Sequence, residues 1–436
     1  MTQIKQIKTD KISEDQFHLR HQRSIPKHWS LVKLGDVAKS FKGKKPRNLS
    51  TERNEVFFTP YVDIKAFEKK LIDNYTDGIN CTLCEPEDVL VVWDGARCGL
   101  VGRGIKGAIG STLAKIKSES HLNSFLFYFL KYHYKLINTN PKGVGIPHIE
   151  PNLFWGLNIP LPPLHEQKKI VEKIEELFSG LDNGVASLKK AKEQIRLYRQ
   201  SVLAAAFSGR LLKASRDDIF SIQDSTPKDV ISNAHQLPDG WKWVKLGEVT
   251  SVLGDGLHGT PKYSEDGEYY FINGNNLTDG KIEIKANTKR VNLEEYEKYK
   301  KPLNDRTILV SINGTLGKTA FFNGEKIILG KSACYFNLIE NADKRYIRYF
   351  LKSHRFLKYA NENATGSTIK NVSLQAMREL EVPLPPLIED QLQIVEEIEK
   401  RFSEADNLEK AIDDSLAKAE TLRQSILKQA FEGKLV

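Results

Sequence analysis

Two stretches that end in glycine, lysine and a hydroxyl residue come closest to a recognisable chemistry, the binding of nucleotide phosphates. They read INGTLGKT around Lys318 and GEKIILGKS around Lys331. A phosphate loop of the form GxxxxGK[ST] needs a first glycine for its turn and a following helix that aims N–H groups at phosphate. Ile312 and Glu325 replace that glycine, and strand-like residues follow Lys318. Nucleotide binding is therefore not expected, and both lysines stay open as DNA-phosphate contacts or solvated loop residues.

Signatures of DNA methylation, DNA cleavage and metal binding are incomplete as well. A pocket for an adenine amino group would need a motif like [ND]PP[YFW], whereas the only Pro-Pro pairs lie in two PLPPL segments. A nuclease pattern of PD followed by ExK can be assembled around Asp239 and Glu283, but such short matches arise by chance. Cys81 and Cys84 form a CxxC pair that lacks two further zinc ligands. We predict no catalytic residue and no metal ligand in this chain.

Cationic and polar side chains in glycine-bearing loops remain, and they suit contact with nucleic acid. Lys, Arg and His on turns that glycine permits can approach phosphates or base edges in the major groove. The alternative is that these loops are exposed turns without a ligand. The candidate DNA contacts are Lys42, Lys44, Lys45, Arg47, Asp94 and Arg97 in the first half of the chain, and His258, Thr260, Lys262, Asn313, Thr315, Lys318 and Lys331 in the second.

Two long amphipathic segments must position these loops. Each follows a PLPPL sequence, whose prolines end a strand and allow a helix to start. Apolar residues then recur at gaps of four and three for about five heptads, which predicts helices of roughly 60 Å that pack lengthwise on each other as an antiparallel coiled coil. The residues predicted to pack are Ile170, Ile174, Phe178, Leu181, Leu188 and Ile195 in the first helix, and Ile394, Ile398, Phe402, Leu408, Ile412, Leu422 and Ile426 in the second.

The chain carries an internal duplication. The second helix repeats the first at an offset of 224 residues, so that Asp182 and Arg199 return as Asp406 and Arg423. The segments with which the two globular halves begin, at Ile25 and Leu237, repeat at an offset of 212 residues. Two long matches of this kind predict a pseudo-twofold internal repeat rather than two unrelated domains.

Short β-branched and aromatic runs broken by Gly, Asn and Asp fill each globular half. This pattern predicts an α+β fold with a mixed, mostly antiparallel sheet and helices. The predicted boundaries are a tail at 1–24, a globular half at 25–158, the central helix at 159–212, a linker at 213–236, a second globular half at 237–381 and the C-terminal helix at 382–436.

The charge of the chain is unevenly distributed. The whole sequence carries a formal net charge of +9, yet residues 388–436 hold 7 basic and 12 acidic residues, a net of −5, so the remainder carries +14. Nucleic acid is the first partner that such a basic surface suggests. Without an 18-residue apolar run or a signal peptide, the sequence predicts a soluble cytoplasmic protein with no membrane partner.

Over nearly its whole length the sequence resembles the DNA-specificity subunit of type I restriction–modification systems. The resemblance is carried by the two PLPPL-plus-helix repeats, by the segments around Trp29 and Trp241, and by GDGLHGTPKY and GSTIKNVS in the second half. The first half departs from it, with KGKKPR in place of HGTPKY and GVGIPHIE in place of GSTIKNVS. The resemblance adds four candidate DNA contacts from these motifs: His148, Ser367, Thr368 and Lys370.

The family implies that the globular halves are target-recognition domains, each reading half of a split site in double-stranded DNA. The helices would bind two modification (adenine methyltransferase) subunits that carry S-adenosylmethionine, and restriction subunits would add ATP- and Mg²⁺-dependent translocation and cleavage. The leading hypothesis is a non-enzymatic DNA-reading scaffold without a cofactor of its own. The alternatives are a stand-alone DNA-modifying enzyme, either a nuclease or a methyltransferase, and a tethering protein that binds no DNA.

Overall fold

The computed structural model describes residues 25–118, 123–143, 145–212, 237–366 and 368–436. The predicted tail, the predicted linker and Ser367 therefore lie outside the described residues. The chain divides into two compact units, which are described one at a time. Unit 1 comprises Met1–Ser187 and Asp414–Val436, and unit 2 comprises Leu188–Asp413.

The described residues up to the end of the first long helix form two four-stranded sheets and one two-stranded ribbon. The elements are β1 Ser30–Lys33, α1 Leu34–Val37, β2 Ala38–Lys42, β3 Thr59–Val62, α2 Ile64–Lys69, β4 Tyr75–Thr76, β5 Leu83–Cys84, β6 Val89–Val92, β7 Val101–Arg103, β8 Gly107–Ile109, β9 Leu113–Ser118, α3 Asn123–Thr139, α4 Pro151–Gly156, β10 Asn158–Leu161 and α5 Leu164–Phe207. The main sheet has the order β2-β9-β6-β7 and is antiparallel throughout. A second sheet, β4-β3-β8-β5, contains one parallel pair, β3 with β8, while β1 pairs with β10.

The remainder of the chain repeats the four-stranded main sheet and the ribbon beside the long helix, but its second sheet has three strands and two further ribbons are present among the described residues. Its elements are β11 Lys242–Lys245, β12 Thr250–Asp255, β13 Tyr269–Ile272, β14 Leu277–Thr278, β15 Lys281–Ile282, β16 Arg290–Val291, α6 Leu293–Tyr299, β17 Thr307–Ser311, β18 Thr319–Phe321, β19 Ile327–Leu329, β20 Ala333–Leu338, α7 Lys344–Leu351, α8 His354–Glu362, β21 Ala364–Thr365, β22 Asn371–Val372, α9 Leu374–Glu379, β23 Glu381–Leu384 and α10 Ile388–Phe431. The order β12-β20-β17-β18 matches the main sheet of unit 1, and β13 pairs with β19 in parallel as β3 does with β8.

The central strands β6 and β17 explain why each half folds into two packed layers. All four residues of β6, with the sequence VLVV, are buried. Val89 and Val91 enter the core that contains α3, whereas Leu90 and Val92 enter a separate core beneath the second sheet. A strand that is covered on both faces is apolar at every position rather than at every second one. The main sheet therefore forms a rigid layer between two cores.

Helices α5 and α10 each span 44 residues, as the heptad pattern predicts. Helix α5 begins at the last residue of its PLPPL segment, α10 begins directly after its own, and both stop two residues before a glycine. Gly209 and Gly433 have φ angles of +71° and +67°, a left-handed backbone that ends a helix at little cost only for glycine. The predicted α+β fold with two long helices and an internal repeat is confirmed.

Ion pairs show how the two long helices pack in each unit. In unit 2, Lys192 Nζ lies 2.7 Å from Asp413 Oδ1, and Arg199 Nη2 lies 2.7 Å from Asp406 Oδ1. Seven residues forward in α5 therefore correspond to seven residues backward in α10, so the segments run antiparallel. Unit 1 contains the repeat image of the second pair, Arg423 with Asp182.

Most of the predicted packing residues lie in the buried face of their helix, but Leu408 and Leu422 do not. They are 54% and 50% exposed. The face of α10 that is buried passes instead through residues at seven-residue intervals, Ala405, Ile412, Ala419 and Ile426. Between these positions the seam includes Glu409 and Arg423, which make ion pairs to α5. Apolar spacing alone favours Leu408 and Leu422 over the charged residues that follow them, Glu409 and Arg423. The predicted seam is therefore one position too early at both leucines.

The other predicted packing residues are buried or half-buried. The buried ones are Ile170, Ile174, Phe178, Ile394, Ile398, Ile412 and Ile426, and the half-buried ones are Leu181, Leu188, Ile195 and Phe402. Among the residues described, no helix combines the length and the apolar composition needed to span a bilayer.

Candidate nucleic-acid interface

The main sheet of unit 1 brings the predicted contact loops to one of its ends. Strands β2 and β6 are both antiparallel to β9, so they run in the same direction and their carboxyl ends share an edge. Lys42 is the last residue of β2, and Asp94 follows closely after β6. The loop that holds Lys44, Lys45 and Arg47 and the turn that holds Asp94 are therefore neighbours in space.

Lys42, Asp94 and His148 form a cluster at this edge. Lys42 Nζ lies 2.8 Å from Asp94 Oδ2, and His148 Nδ1 lies 2.6 Å from Asp94 Oδ1. The Asp94 side chain is 17% exposed, whereas those of Lys42 and His148 are 51% and 46% exposed. The carboxylate thus holds two donor-bearing groups in fixed positions and leaves both accessible to a ligand. The sequence nominated these three residues separately, and the fold brings them together.

Gly43 fixes the path of the basic loop. A Cβ at this position would lie 2.2 Å from the carbonyl oxygen of Gly110, a distance at which atoms clash. The loop backbone is held there because the N–H of Gly43 donates to Leu113 O at 2.9 Å and that of Lys44 to Ile109 O at 3.1 Å. Lys44, Lys45 and Arg47 are exposed beyond this anchor and have no ion-pair partner in the described part of the chain.

Arg97 is less available than the other cations of unit 1. Its guanidinium forms an ion pair with Glu68 of α2, although 56% of its side chain remains exposed. Because this carboxylate already neutralises part of its charge, a contact from Arg97 to phosphate would require breaking or sharing the pair.

Unit 2 builds the corresponding edge with the same backbone geometry. Gly256 occupies the position of Gly43, and a Cβ there would lie 2.1 Å from Leu329 O. Leu257 N–H donates to Leu329 O at 2.7 Å, and Lys331 N–H donates to Leu257 O at 3.0 Å. These bonds join the loop after β12 to the turn before β20. The exposed residues that this arrangement presents are His258, Thr260, Lys262 and Lys331.

Asn313 and Asn371 stand where unit 1 has Asp94 and His148. Both pairs are joined by an antiparallel bridge. Asn313 Nδ2 donates to Asn371 Oδ1 at 3.1 Å, and Gly314 N–H donates to Lys370 O at 2.9 Å, as Gly95 N–H donates to Pro147 O at 2.8 Å. Thr315, Lys318, Thr368 and Lys370 are exposed around this pair. Lys370 Nζ also donates to Asn361 Oδ1 at 2.5 Å.

Asn371 is a candidate contact that the sequence analysis missed. Its amide is paired with the predicted Asn313, and an amide that is fixed in this way can offer both a donor and an acceptor to a base edge. The signal was present in the internal repeat, since Asn371 aligns with His148, which was selected. Aligning the two halves residue by residue would have found it.

The stretches that resemble phosphate loops have the structure expected of strands. Lys318 is followed directly by β18 and Lys331 is followed closely by β20, so both of these described motifs lead into a strand and not into the helix that a phosphate loop requires. Within the described ranges, no group of three or more His, Cys, Asp and Glu side chains is placed to hold a metal ion. Burial raises the pKa of the Cys84 and Cys98 thiols above the usual range.

Comparison with known proteins assigns the chain to a family. The sequence model of the type I restriction modification DNA specificity domain matches residues 26–195 and again residues 238–418. The chain belongs to this family. The two matches cover most of both globular halves together with a large part of each long helix, which agrees with the internal duplication.

The relatives of this chain include specificity subunits of type I restriction enzymes. The type I restriction enzyme MjaVIII specificity subunit of Methanocaldococcus jannaschii is 26% identical, and the match covers 97% of this chain and 96% of that protein. The EcoBI specificity subunit of Escherichia coli is 28% identical over 80% of this chain and 74% of its own length.

Solved structures share the fold. A chain from a study of complex assembly and conformational transition of the type I R-M system matches with a TM-score of 0.68 and 22% identity, covering 94% of this chain and 99% of that one. The HsdS subunit from Thermoanaerobacter tengcongensis matches with a TM-score of 0.50 and 21% identity, covering 94% and 98%. At this identity the likeness establishes the fold alone.

Proposed function

We propose that this chain is the sequence-recognition subunit of a type I restriction–modification complex and reads a bipartite, asymmetric site in double-stranded DNA. One observation carries the proposal. Polar and cationic residues that are far apart in the sequence gather on corresponding loops at the corresponding edge of the main sheet in both units. Residues 25–158 and 237–381 are then the two target-recognition domains, each reading one half-site.

The two edges offer different hydrogen-bonding groups to DNA bases. Unit 1 presents the ammonium of Lys42 and the ring of His148 around the Asp94 carboxylate, a set suited to guanine O6 and N7 through the donors and to cytosine N4 through the acceptor. Unit 2 presents the amides of Asn313 and Asn371, and Asn is the side chain that pairs with adenine N6 and N7. The two half-sites should therefore differ in sequence.

Partner subunits supply the chemistry in this proposal. The chain itself carries no cofactor, and S-adenosylmethionine, ATP and Mg²⁺ belong to two modification subunits and to restriction subunits that act in the cytoplasm. The two relatives described above are both named specificity subunits, which supports this division. The duplication supports two equivalent docking positions for the modification subunits, and Leu408 and Leu422 offer exposed apolar contacts on α10.

Retention of DNA from a random pool tests the proposal. The purified full-length chain is incubated with random-sequence duplexes, and bound DNA is amplified and selected again in the presence of competitor. Enrichment of one split sequence is expected. A chain that retains DNA without enriching any sequence, or retains none, would instead be a tether or a non-specific binder.

A second assay separates the scaffold from a stand-alone enzyme. The same chain is incubated with the selected duplex, Mg²⁺ and S-adenosylmethionine, and methylated and cleaved products are measured. No turnover is expected until modification and restriction subunits are added. Turnover by the chain alone, at a rate proportional to its concentration, would overturn the assignment.

A further inference from the structure

We propose that Ile146 and Ile369 are apolar wedges, side chains that insert between adjacent base pairs in the half-site read by their unit. This inference rests on the proposed function and names two base-contacting residues that it does not include. Ile146 is 65% exposed and Ile369 is 60% exposed. A single exposed isoleucine is ordinary on a protein surface. The inference depends on where these two stand.

Both isoleucines lie at the tip of a short hairpin. Each hairpin lies beside the turn that holds Asp94 or Asn313, which follows β6 in unit 1 and β17 in unit 2. In unit 1, Lys142 and His148 close the hairpin with two backbone hydrogen bonds of 2.9 Å each. In unit 2, Thr365 pairs with Asn371 in the same antiparallel manner. The hydrogen bonds from Gly95 to Pro147 and from Gly314 to Lys370 fasten these hairpins to the turns after β6 and β17.

A glycine in each hairpin folds the chain back so that the isoleucine is presented outward. Gly143 and Gly366 have φ angles of +94° and +91°, which favour glycine. A Cβ on Gly366 would lie 2.4 Å from the carbonyl oxygen of Ile369, and one on Gly143 would lie 3.1 Å from that of Ile146. The isoleucine backbone is therefore packed against the glycine while its side chain faces solvent.

The sequences of the two hairpins differ at most positions, and this difference indicates the role of the isoleucine that they share. The segments KGVGIPH and TGSTIKN, at 142–148 and 365–371, share only the glycine and the isoleucine. Residues that read bases should differ between units that read different half-sites, whereas a residue kept in both should do something that is independent of sequence. A wedge meets this condition because apolar side chains insert at base steps without pairing to a base edge.

The surroundings of each isoleucine suit DNA. Lys142, Lys370 and His148 flank the tips and can contact the phosphates on either side of an opened step, so the cost of unstacking is offset by electrostatic contacts. A thymine methyl contact is the competing interpretation, but it would require thymine at the same place in both half-sites.

Fluorescence of 2-aminopurine tests the wedge. The full-length chain binds a duplex that it has itself enriched from a random pool, with 2-aminopurine placed at successive steps of each half-site. An unstacking step should brighten in each half-site. Ile146→Ala should abolish the signal in one half-site and Ile369→Ala in the other, each with a roughly tenfold loss of affinity. Ile→Leu at either position should retain both signals.

Matched controls separate this role from a general loss of surface apolarity. Leu71→Ala and Ile284→Ala remove side chains that are 53% and 42% exposed elsewhere in units 1 and 2, and they should leave fluorescence and affinity unchanged. Thermal unfolding of all variants confirms that each is folded, as expected for exposed positions.

Three results would overturn the wedge. The signals could persist in both alanine variants, or no step could brighten although binding is sequence-specific. An affinity loss confined to thymine-containing steps, and removed by deoxyuridine, would assign a methyl contact instead. By contrast, a wild-type chain that enriches no sequence would refute the proposed function itself.

Discussion

Single residues at the sheet edges determine where the cations stand, and the most demanding of them are glycines. Gly43 and Gly256 occupy corresponding positions where a Cβ would meet backbone carbonyl groups at 2.2 and 2.1 Å. Backbone atoms cannot rotate away as the end of a long side chain can. The loops that follow these glycines therefore depend on the absence of a side chain.

Gly43→Ala should lower the free energy of unfolding by about 1–3 kcal/mol because the loop after β2 must move away from the backbone of Ile109 and Gly110, at the end of β8, to accept the methyl group. Gly145→Ala is the matched control, since a Cβ there meets nothing within 4 Å. Its effect should stay within about 0.5 kcal/mol. Denaturant unfolding of both variants measures the difference, and equal effects would show that the close approach at Gly43 is not maintained.

Asp279 should make the stability of unit 2 depend on pH. Hydrogen bonding from Lys352, together with the charge of Arg348, lowers the pKa of its carboxyl below the usual value. Lys352 Nζ and Arg348 Nη2 donate to Asp279 Oδ1 at 2.6 and 2.8 Å, which ties the turn between β14 and β15 to α7. A carboxyl whose pKa is lowered on folding stabilises the protein above its unfolded pKa, near ~4, and loses that contribution as the pH falls.

The expected result is that Asp279→Asn unfolds at a lower temperature than the wild type at pH 7, with a loss of about 1 kcal/mol or less because the Asp279 side chain is 80% exposed. The difference should shrink below pH ~4 and vanish at still lower pH, where the wild-type carboxyl is also protonated. Unfolding midpoints measured across this range provide the check. A difference that is constant with pH would mean that the carboxylate charge is not what matters.

Lys44, Lys45 and Arg47 should contribute to DNA binding by neutralising phosphates. Replacing all three with Ala should reduce the dependence of log K on log salt by about 0.9 for each phosphate that is no longer neutralised. Lys106→Ala with Lys117→Ala is the control, because these lysines are exposed near the other end of the main sheet. Binding to a random-sequence duplex over a salt series measures the slope. An unchanged slope in the triple variant would show that this loop does not face DNA.

At the scale of secondary structure, the register of α10 is set by charged residues as well as apolar ones. Arg199 contacts both Asp406 and Glu409, and its guanidinium lies 5.1 Å from the ring of Phe402. Arg423 has the same relation to Asp182 and to Phe178, also at 5.1 Å. Long arginine side chains can cover a seam with their methylene groups while their charge reaches the helix edge.

Ile412→Ala should lower the free energy of unfolding by about 2 kcal/mol or more, because this side chain is 9% exposed and its removal leaves a cavity. Leu408→Ala should change it by no more than about 0.5 kcal/mol, because that side chain is 54% exposed. The pair tests the register directly by denaturant unfolding. A larger loss at Leu408 than at Ile412 would restore the register that the apolar spacing alone suggested.

At the scale of the whole molecule, one topology is used twice with different surface chemistry. The strand orders β2-β9-β6-β7 and β12-β20-β17-β18 are equivalent, and the glycines that hold the loops correspond. The side chains presented at the edges do not, since a lysine–aspartate–histidine cluster in unit 1 is replaced by two asparagines in unit 2. Duplication supplied the frame, and divergence of the loops supplied two surfaces.

The site enriched by this chain, and methylated in cells that contain it, should therefore be asymmetric. Mapping of methylated adenines in cells with and without the chain measures this directly. Exchanging Asn313 and Asn371 for Asp and His should alter only one half-site, since the edge of unit 1 is untouched. A palindromic site in the wild type, or changes in both half-sites of the exchanged variant, would contradict the prediction.

The sequence by itself determined the elements whose signal is local or repeated. A heptad pattern bounded by PLPPL and glycine is sufficient to predict α5 and α10, since helix formation depends on residues three and four apart. The internal repeat was sufficient to predict two similar α+β halves. The loops with exposed cations around Lys44 were likewise visible, because glycine and charge mark exposed turns. Leu408 and Leu422 were wrongly predicted to lie in the helix seam. Apolar spacing alone does not show where a long charged side chain will pack over the seam in place of a neighbouring leucine.

Only the tertiary structure decided which of these loops form one surface. Lys42, Asp94 and His148 are separated by about fifty residues each, and their meeting depends on the pairing of β2 and β6 with β9 and on the hairpin bonded to Gly95. Such long-range strand pairing leaves no local pattern in a single sequence. In unit 2 the corresponding pairing of β12 and β17 with β20 gave Asn371 its partner, Asn313. The two hairpins place Ile146 and Ile369 beside the turns that follow β6 and β17.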